Sequence, residues 1–467
     1  MVFSSLVFLF TFLPLVLIFY FLVPRAAKNP VLLAASLIFY AWGEPVYLFL
    51  MLLSIGFNYI CGMEIELKLK RNQGAKKALI FAVAVNIGLL GFFKYSGFLV
   101  GSLNALLPVD IPWPDLALPV GISFYTFQIL SYLIDVYRRK VHAQKNLISF
   151  GLYVTMFPQL IAGPIVQYAD IDRQLKSRTV TWEKFGSGTV YFIRGLGKKV
   201  LLANMIGGLF DVVSAMPQGE MSALSAWLGC LAYTFQIYFD FSGYSDMAIG
   251  LGRMFGFEFM KNFDYPYISG SVTEFWRRWH ISLSSWFRDY VYIPLGGNRT
   301  TKPKHIRNIM AVWLLTGLWH GASWNFVAWG VYYGLILMTE KYLLADVMER
   351  IPVLVRRVCT MLLVMIGWVL FFSPTLSGAL TYLGNMVGIG VPAADAEGIY
   401  LLMSNLAMLL ILAAGSGPWV HKIFQKIGGD RQAIRIAVQC VTYTAMLLLC
   451  VACLVTDTYN PFLYFRF

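Results

Sequence analysis

Apolar runs long enough to cross a bilayer recur from one end of this 467-residue chain to the other, with no soluble-looking half between them. A crossing helix needs about 20 predominantly apolar residues. Charged residues make up 13% of the chain, against about 25% in an ordinary soluble domain. The chain therefore reads as an all-α polytopic membrane protein. One integral membrane domain over residues 1–467 is expected, with roughly ten to twelve transmembrane or re-entrant helices.

Met1 to Val23 contains no Lys or Arg, so it lacks the positive start of a signal peptide and reads as a retained first span. Arg25 and Lys28 follow it, and a denser basic cluster (Lys68, Lys70, Arg71, Lys76, Lys77) comes after two further apolar stretches. Positive loops face the cytoplasm, which starts the N-terminus outside. The net charge of +13 is spread over such short loops, where topology and anionic headgroups account for it, so no nucleic-acid partner is expected. The six cysteines show no zinc-type spacing, and no metal is expected.

The run from Ile309 to Met338 holds no Asp, Glu, Lys or Arg over its 30 residues. As one helix it would reach ~45 Å, well beyond the ~30 Å hydrocarbon core. It should break, and Gly321-Ala322-Ser323 is the natural place. The break puts His320 at the end of a half-helix, where irregular backbone is tolerated only beside a protein-lined or wet cavity. An ionisable residue at membrane depth points to function, although a histidine hydrogen-bonded in a core would give the same pattern. Gly317, Gly321, Ala322 and Ser323 leave room for a ligand beside the imidazole. A base of near-neutral pKa is what a sugar hydroxyl needs to attack an acyl carbonyl, and histidine has that pKa unaided.

Between Asp264 and Ile306 the chain becomes rich in Arg, Trp, Ser and Gly, as an interfacial insert would. Helical periodicity over Thr273 to Tyr292 places Trp276, His280, Leu283, Phe287 and Tyr290 near one stripe of a surface helix. Anchoring at headgroup depth explains the tryptophans and arginines but leaves His280 unexplained. Arg277 and Arg278 suit the phosphate of a donor such as coenzyme A or a carrier-bound phosphopantetheine. Asp240 and Asp246 interrupt another apolar run six residues apart, about 120° around an unbroken helix, so a shared-face dyad is not expected unless Gly243 breaks it. Pairing with a buried base, orienting His320 and lining a polar tunnel remain open for both. Arg194, Lys198 and Lys199 are possible partners, with snorkelling to the interface the expected role. No Gly-x-Ser-x-Gly elbow or Walker-type phosphate loop occurs, which disfavours a covalent serine enzyme or an ATPase.

Several ordered stretches resemble the membrane-bound O-acyltransferase family, and within it the alginate O-acetyltransferase branch. They are Pro119 to Tyr125, Phe157 to Pro164, Tyr238 to Gly250, Phe275 to Arg299 and Gly317 to Ser323, with Met1 to Ser5 and Phe39 to Trp42. The likeness runs from the first residue to about Met338, and the C-terminal helices over 339–467 match in hydrophobic character alone. The resemblance implies helices around an acyl-transfer tunnel, with His320 as the hallmark histidine and His280 as a second catalytic position. Asp240, Asp246, Trp319 and Ser323 become tunnel-lining or orienting candidates. It further implies no bound cofactor, with acetyl-CoA or a carrier-protein thioester as a cytoplasmic acyl donor. An exported polysaccharide, served through periplasmic or extracellular acetyl-transfer partners at the bacterial inner membrane, is the implied acceptor. Alginate fits best, and peptidoglycan or another surface polymer is the alternative. A secondary transporter, or a scaffold recruiting a separate acetyltransferase, is the reading from another class.

Overall fold

The computed structural model describes residues 1–467 except 108–109, 115, 162, 218, 427–430 and 457–467. Ala162, within the Phe157 to Pro164 stretch, thus lies outside the described residues. Those described form helices and connecting loops, with no strand among them. Among the described residues five helices are long and apolar enough to cross a membrane: Tyr47–Lys70, Ala75–Leu106, Val353–Phe372, Ala396–Gly415 and Gln432–Thr456. Ala223–Met254 is one continuous helix of 32 residues, and other apolar runs form shorter or interrupted helices. The apolar run from Leu147 to Val166 is divided, with helices at Leu147–Thr155 and Phe157–Leu160. Pro158 explains the division, because proline cannot donate to a preceding helical turn.

The chain forms two compact units, one of residues 1–192 and 244–260, the other of 193–243 and 261–467. In the first, the Tyr47–Lys70 helix buries Met51, Ile55, Asn58, Gly62 and Ile65 along one stripe and exposes Phe49, Leu53 and Ile60 on the opposite side. Large exposed apolar side chains on a span are what hydrocarbon solvates, while the polar face turns inward. Asn58 and Asn86 exchange side-chain amide hydrogen bonds of 3.1 and 2.7 Å, joining this helix to Ala75–Leu106. Gly62 sits where a Cβ would strike the Tyr132 hydroxyl.

The second unit contains His280 and His320. Its helix Lys302–His320 ends at Gly321, and Trp324–Tyr342 begins after Ser323, so the 30-residue apolar run folds back at the expected break. A Cβ on Gly317 would lie 2.3 Å from the Phe326 carbonyl oxygen, and one on Gly330 2.5 Å from that of Trp313. Two glycines thus let the arms of an antiparallel hairpin approach at backbone distance.

The insert departs from the expected single surface helix. Val272–Arg278 and Ile281–Phe287 are separate short helices, followed by a π-helical turn over Arg288–Tyr292. Ser271 accepts from the Glu274 amide and Glu274 accepts from the Gly270 amide, a reciprocal cap that fixes the first start. Asn262 fixes the second, its side-chain oxygen accepting from the Ser282 amide and hydroxyl. The stripe read as an interfacial face is buried: Trp276 packs against Trp313, Trp329 and Tyr333, with ring centroids 4.8 to 5.4 Å apart. Packing against the hairpin, rather than a lipid surface, takes up that apolar face.

Candidate active site

His320 is the last residue of its helix and is buried, exposing 5% of its surface. Three aromatic rings surround the imidazole at centroid distances of 5.0 Å (Trp319), 5.1 Å (Trp329) and 5.2 Å (Phe371), each nearly perpendicular to it. The turn beyond it is anchored through Asn325, which accepts from the Ser323 hydroxyl and donates to the Ser373 carbonyl at 2.9 Å. Ser323 therefore holds the turn in place, and its hydroxyl is committed to Asn325.

His280 lies at the kink between the two insert helices, with φ 43° and ψ 54°. A left-handed backbone costs a residue with a Cβ roughly 1–2 kcal/mol, and such strain concentrates at functional positions. The ring is 1% exposed and rests edge-on against Phe241 at 4.7 Å. Neither ring nitrogen has a hydrogen-bond partner among the described residues. An unmet buried donor and acceptor cost about 1–3 kcal/mol each unless a ligand or water meets them. Trp319 links the pair, since its ring touches His320 and lies 5.9 Å from that of His280. Two imidazoles that are 40 residues apart in sequence are brought to one indole.

The remaining candidates separate. Asp240 forms a 2.6 Å ion pair with Lys199, both nearly inaccessible to solvent. Lys199 lies in a π-helical turn, Lys198–Asn204, and points inward instead of snorkelling. The helix Ala223–Met254 continues without a break through Gly243, so Asp240 and Asp246 do not share a face, and Asp246 belongs to the first unit. Arg278 is held by Glu274 at 2.9 Å and Asp264 at 3.7 Å, whereas Arg277 lines an open cavity of about 550 Å³. Only Arg277 of the two is thus placed to meet a ligand there. Sequence reasoning passed over Trp329, Phe371 and Asn325, whose proximity to His320 follows from the hairpin register and the closure of Val353–Phe372 onto it. His305 was also passed over, since its basic neighbourhood from Arg299 to Arg307 reads as a loop.

A buried imidazole with a second nearby, walled by aromatic rings, is suited to acyl transfer in a water-poor setting. The model of the membrane-bound O-acyltransferase family matches residues 138–383, more than half of the chain. The chain belongs to this family.

The matched region contains both histidines and extends past Met338, where the motif likeness ended. Among its relatives, a probable alginate O-acetylase of Azotobacter vinelandii is 46% identical over 88% of this chain and 83% of its own length. One from Pseudomonas putida is 41% identical over the whole of both chains. The peptidoglycan O-acetyltransferase of Helicobacter pylori is 35% identical over 83% of this chain and 80% of its own. Family membership makes the protein an O-acyltransferase, and its apolar helices make it a multi-pass membrane protein.

Proposed function

We propose that this enzyme O-acetylates an exported polysaccharide, alginate, at the bacterial inner membrane. The acetyl group comes from a thioester donor on the cytoplasmic side, either acetyl-CoA or a carrier-protein thioester, and reaches the polymer through periplasmic or extracellular acetyl-transfer partners. The acceptor is taken from relatives of 41 to 47% identity named as probable alginate O-acetylases; peptidoglycan is the acceptor of a more distant one.

The observation carrying the chemistry is the placement of His280 and His320 around Trp319. In the proposed step His320 takes the proton of the attacking hydroxyl as its oxygen bonds to the acyl carbon. The C–S bond then breaks, and the departing thiolate recovers the proton from His320. His280, with both nitrogens available, hydrogen-bonds the carbonyl oxygen while it carries charge.

His320→Ala is expected to lower acetylation of the exported polymer by about 10²–10⁴-fold, with unchanged protein abundance in the membrane. Acetyl content of the secreted polymer and immunoblots of the membrane fraction provide the readouts. Undiminished acetylation would refute the catalytic reading and favour a scaffold.

A further inference from the structure

The cavity lined by Arg277 lies beside the hairpin's open end, where its two arms begin and finish. Its lining combines the apolar Ile309, Val312 and Leu337 with three cations, Arg277, Arg356 and Lys341. The carboxylate at this cavity, Glu340, already accepts from the Val272 amide at 2.6 Å, the Thr273 amide at 2.8 Å and the Thr273 hydroxyl at 2.6 Å. Its acceptor capacity is therefore largely directed to the start of the Val272–Arg278 helix. Among the described residues neither Arg277 nor Arg356 forms an ion pair, and the Arg356 Nε is a buried donor without a partner.

His305 adds to the polar lining. Its Nε2 is 2.7 Å from the Tyr292 hydroxyl and 3.4 Å from the Lys341 ammonium, and its Nδ1 is 2.5 Å from the Tyr342 hydroxyl. A neutral imidazole has a single N–H, so one phenol donates to the ring while the other receives from it. Two guanidinium forks and an ammonium around one cavity match the oxygens of a phosphate, and the apolar lining matches an alkyl arm.

We propose that this cavity binds a phosphate ester carrying an apolar arm. Two molecules supply that chemistry: a soluble thioester donor of the coenzyme A type and an anionic phospholipid headgroup. The first source rests on the acyl-thioester reading above. His305 and His320 lie on one helix, 15 residues and therefore about 22 Å apart along its axis. A donor whose phosphate sits at His305 would need a long arm to present its carbonyl at His320.

Binding tests the site without turnover, so its failure and failure of the His320 role are separate results. The full-length protein, in phosphatidylcholine nanodiscs, is titrated calorimetrically with acetyl-CoA. In a second arm, nanodiscs containing increasing phosphatidylglycerol are scored by thermal unfolding. Arg277→Gln and Arg356→Gln are compared with the wild type, and the exposed Arg173→Gln serves as a net-charge control. A rise in acetyl-CoA Kd of about tenfold or more in both cavity variants, with the control unchanged, supports the site with the donor as its source. Loss of phosphatidylglycerol stabilisation in those variants alone supports it with lipid as the source. Wild-type behaviour of both in both arms overturns the proposal, as does an equal loss in Arg173→Gln.

Discussion

Lys199 and Asp240 show how a buried charge in an apolar run acquires its place. Each ion would be costly alone, and their 2.6 Å pairing removes most of that cost. Lys199→Met leaves the Asp240 carboxylate buried without its base and should destabilise the protein by about 3–5 kcal/mol. Lys199→Met with Asp240→Leu should recover most of the loss, and thermal unfolding in detergent distinguishes the two. The backbone at His280 gives the opposite kind of test. His280→Gly and His280→Ala should both lose acetylation, yet the glycine variant should be the more stable by about 1 kcal/mol because glycine meets a left-handed φ without strain. The setting of His320 was legible in the sequence, because a run too long for the bilayer must break and small residues mark the place beside it. His280 was legible as a residue but not in its setting. Its arginine and tryptophan neighbours suit a lipid interface equally well, and burial against Phe241 depends on a helix 39 residues upstream.

At the scale of elements, the hairpin was the most readable part. Its run exceeds the bilayer's thickness by simple length, and three small residues mark where it must turn. The close approach of the arms follows from Gly317 and Gly330, but their pairing could be known only once the register was set. Gly317→Ala places a methyl carbon against the Phe326 carbonyl, and the arms must part to admit it. A loss of about 1–3 kcal/mol is expected, read as a lower unfolding temperature together with reduced acetylation. The insert was the least readable element. A 3.6-residue stripe of aromatics fits one amphipathic helix as well as two short helices around a kink, and the caps from Ser271 and Asn262 decide between them.

At the scale of the molecule, the all-α membrane architecture followed from composition and run length, whereas the number of crossings did not. The apolar run around Pro158 has the composition of a span without the continuity of one. The two arms of the hairpin bear directly on this count. His305 near its beginning contacts Tyr342 at its end, so both arms start and finish on one side of the turn. Cysteines introduced at Lys302 and Asp346, in an otherwise cysteine-free protein, should show the same reactivity to a membrane-impermeant maleimide. Both should be shielded in intact cells and labelled after permeabilisation, as the basic residues at Lys302, Lys304 and Arg307 require; opposite labelling would dismiss the hairpin topology. The parity of the chain depends on this one fold-back. A single traverse there would invert the sidedness of every later segment, whereas an out-and-back excursion leaves it unchanged. The last third of the protein therefore inherits its orientation from the helices before Lys302, and a three-residue turn beside His320 sets which compartment each later loop meets.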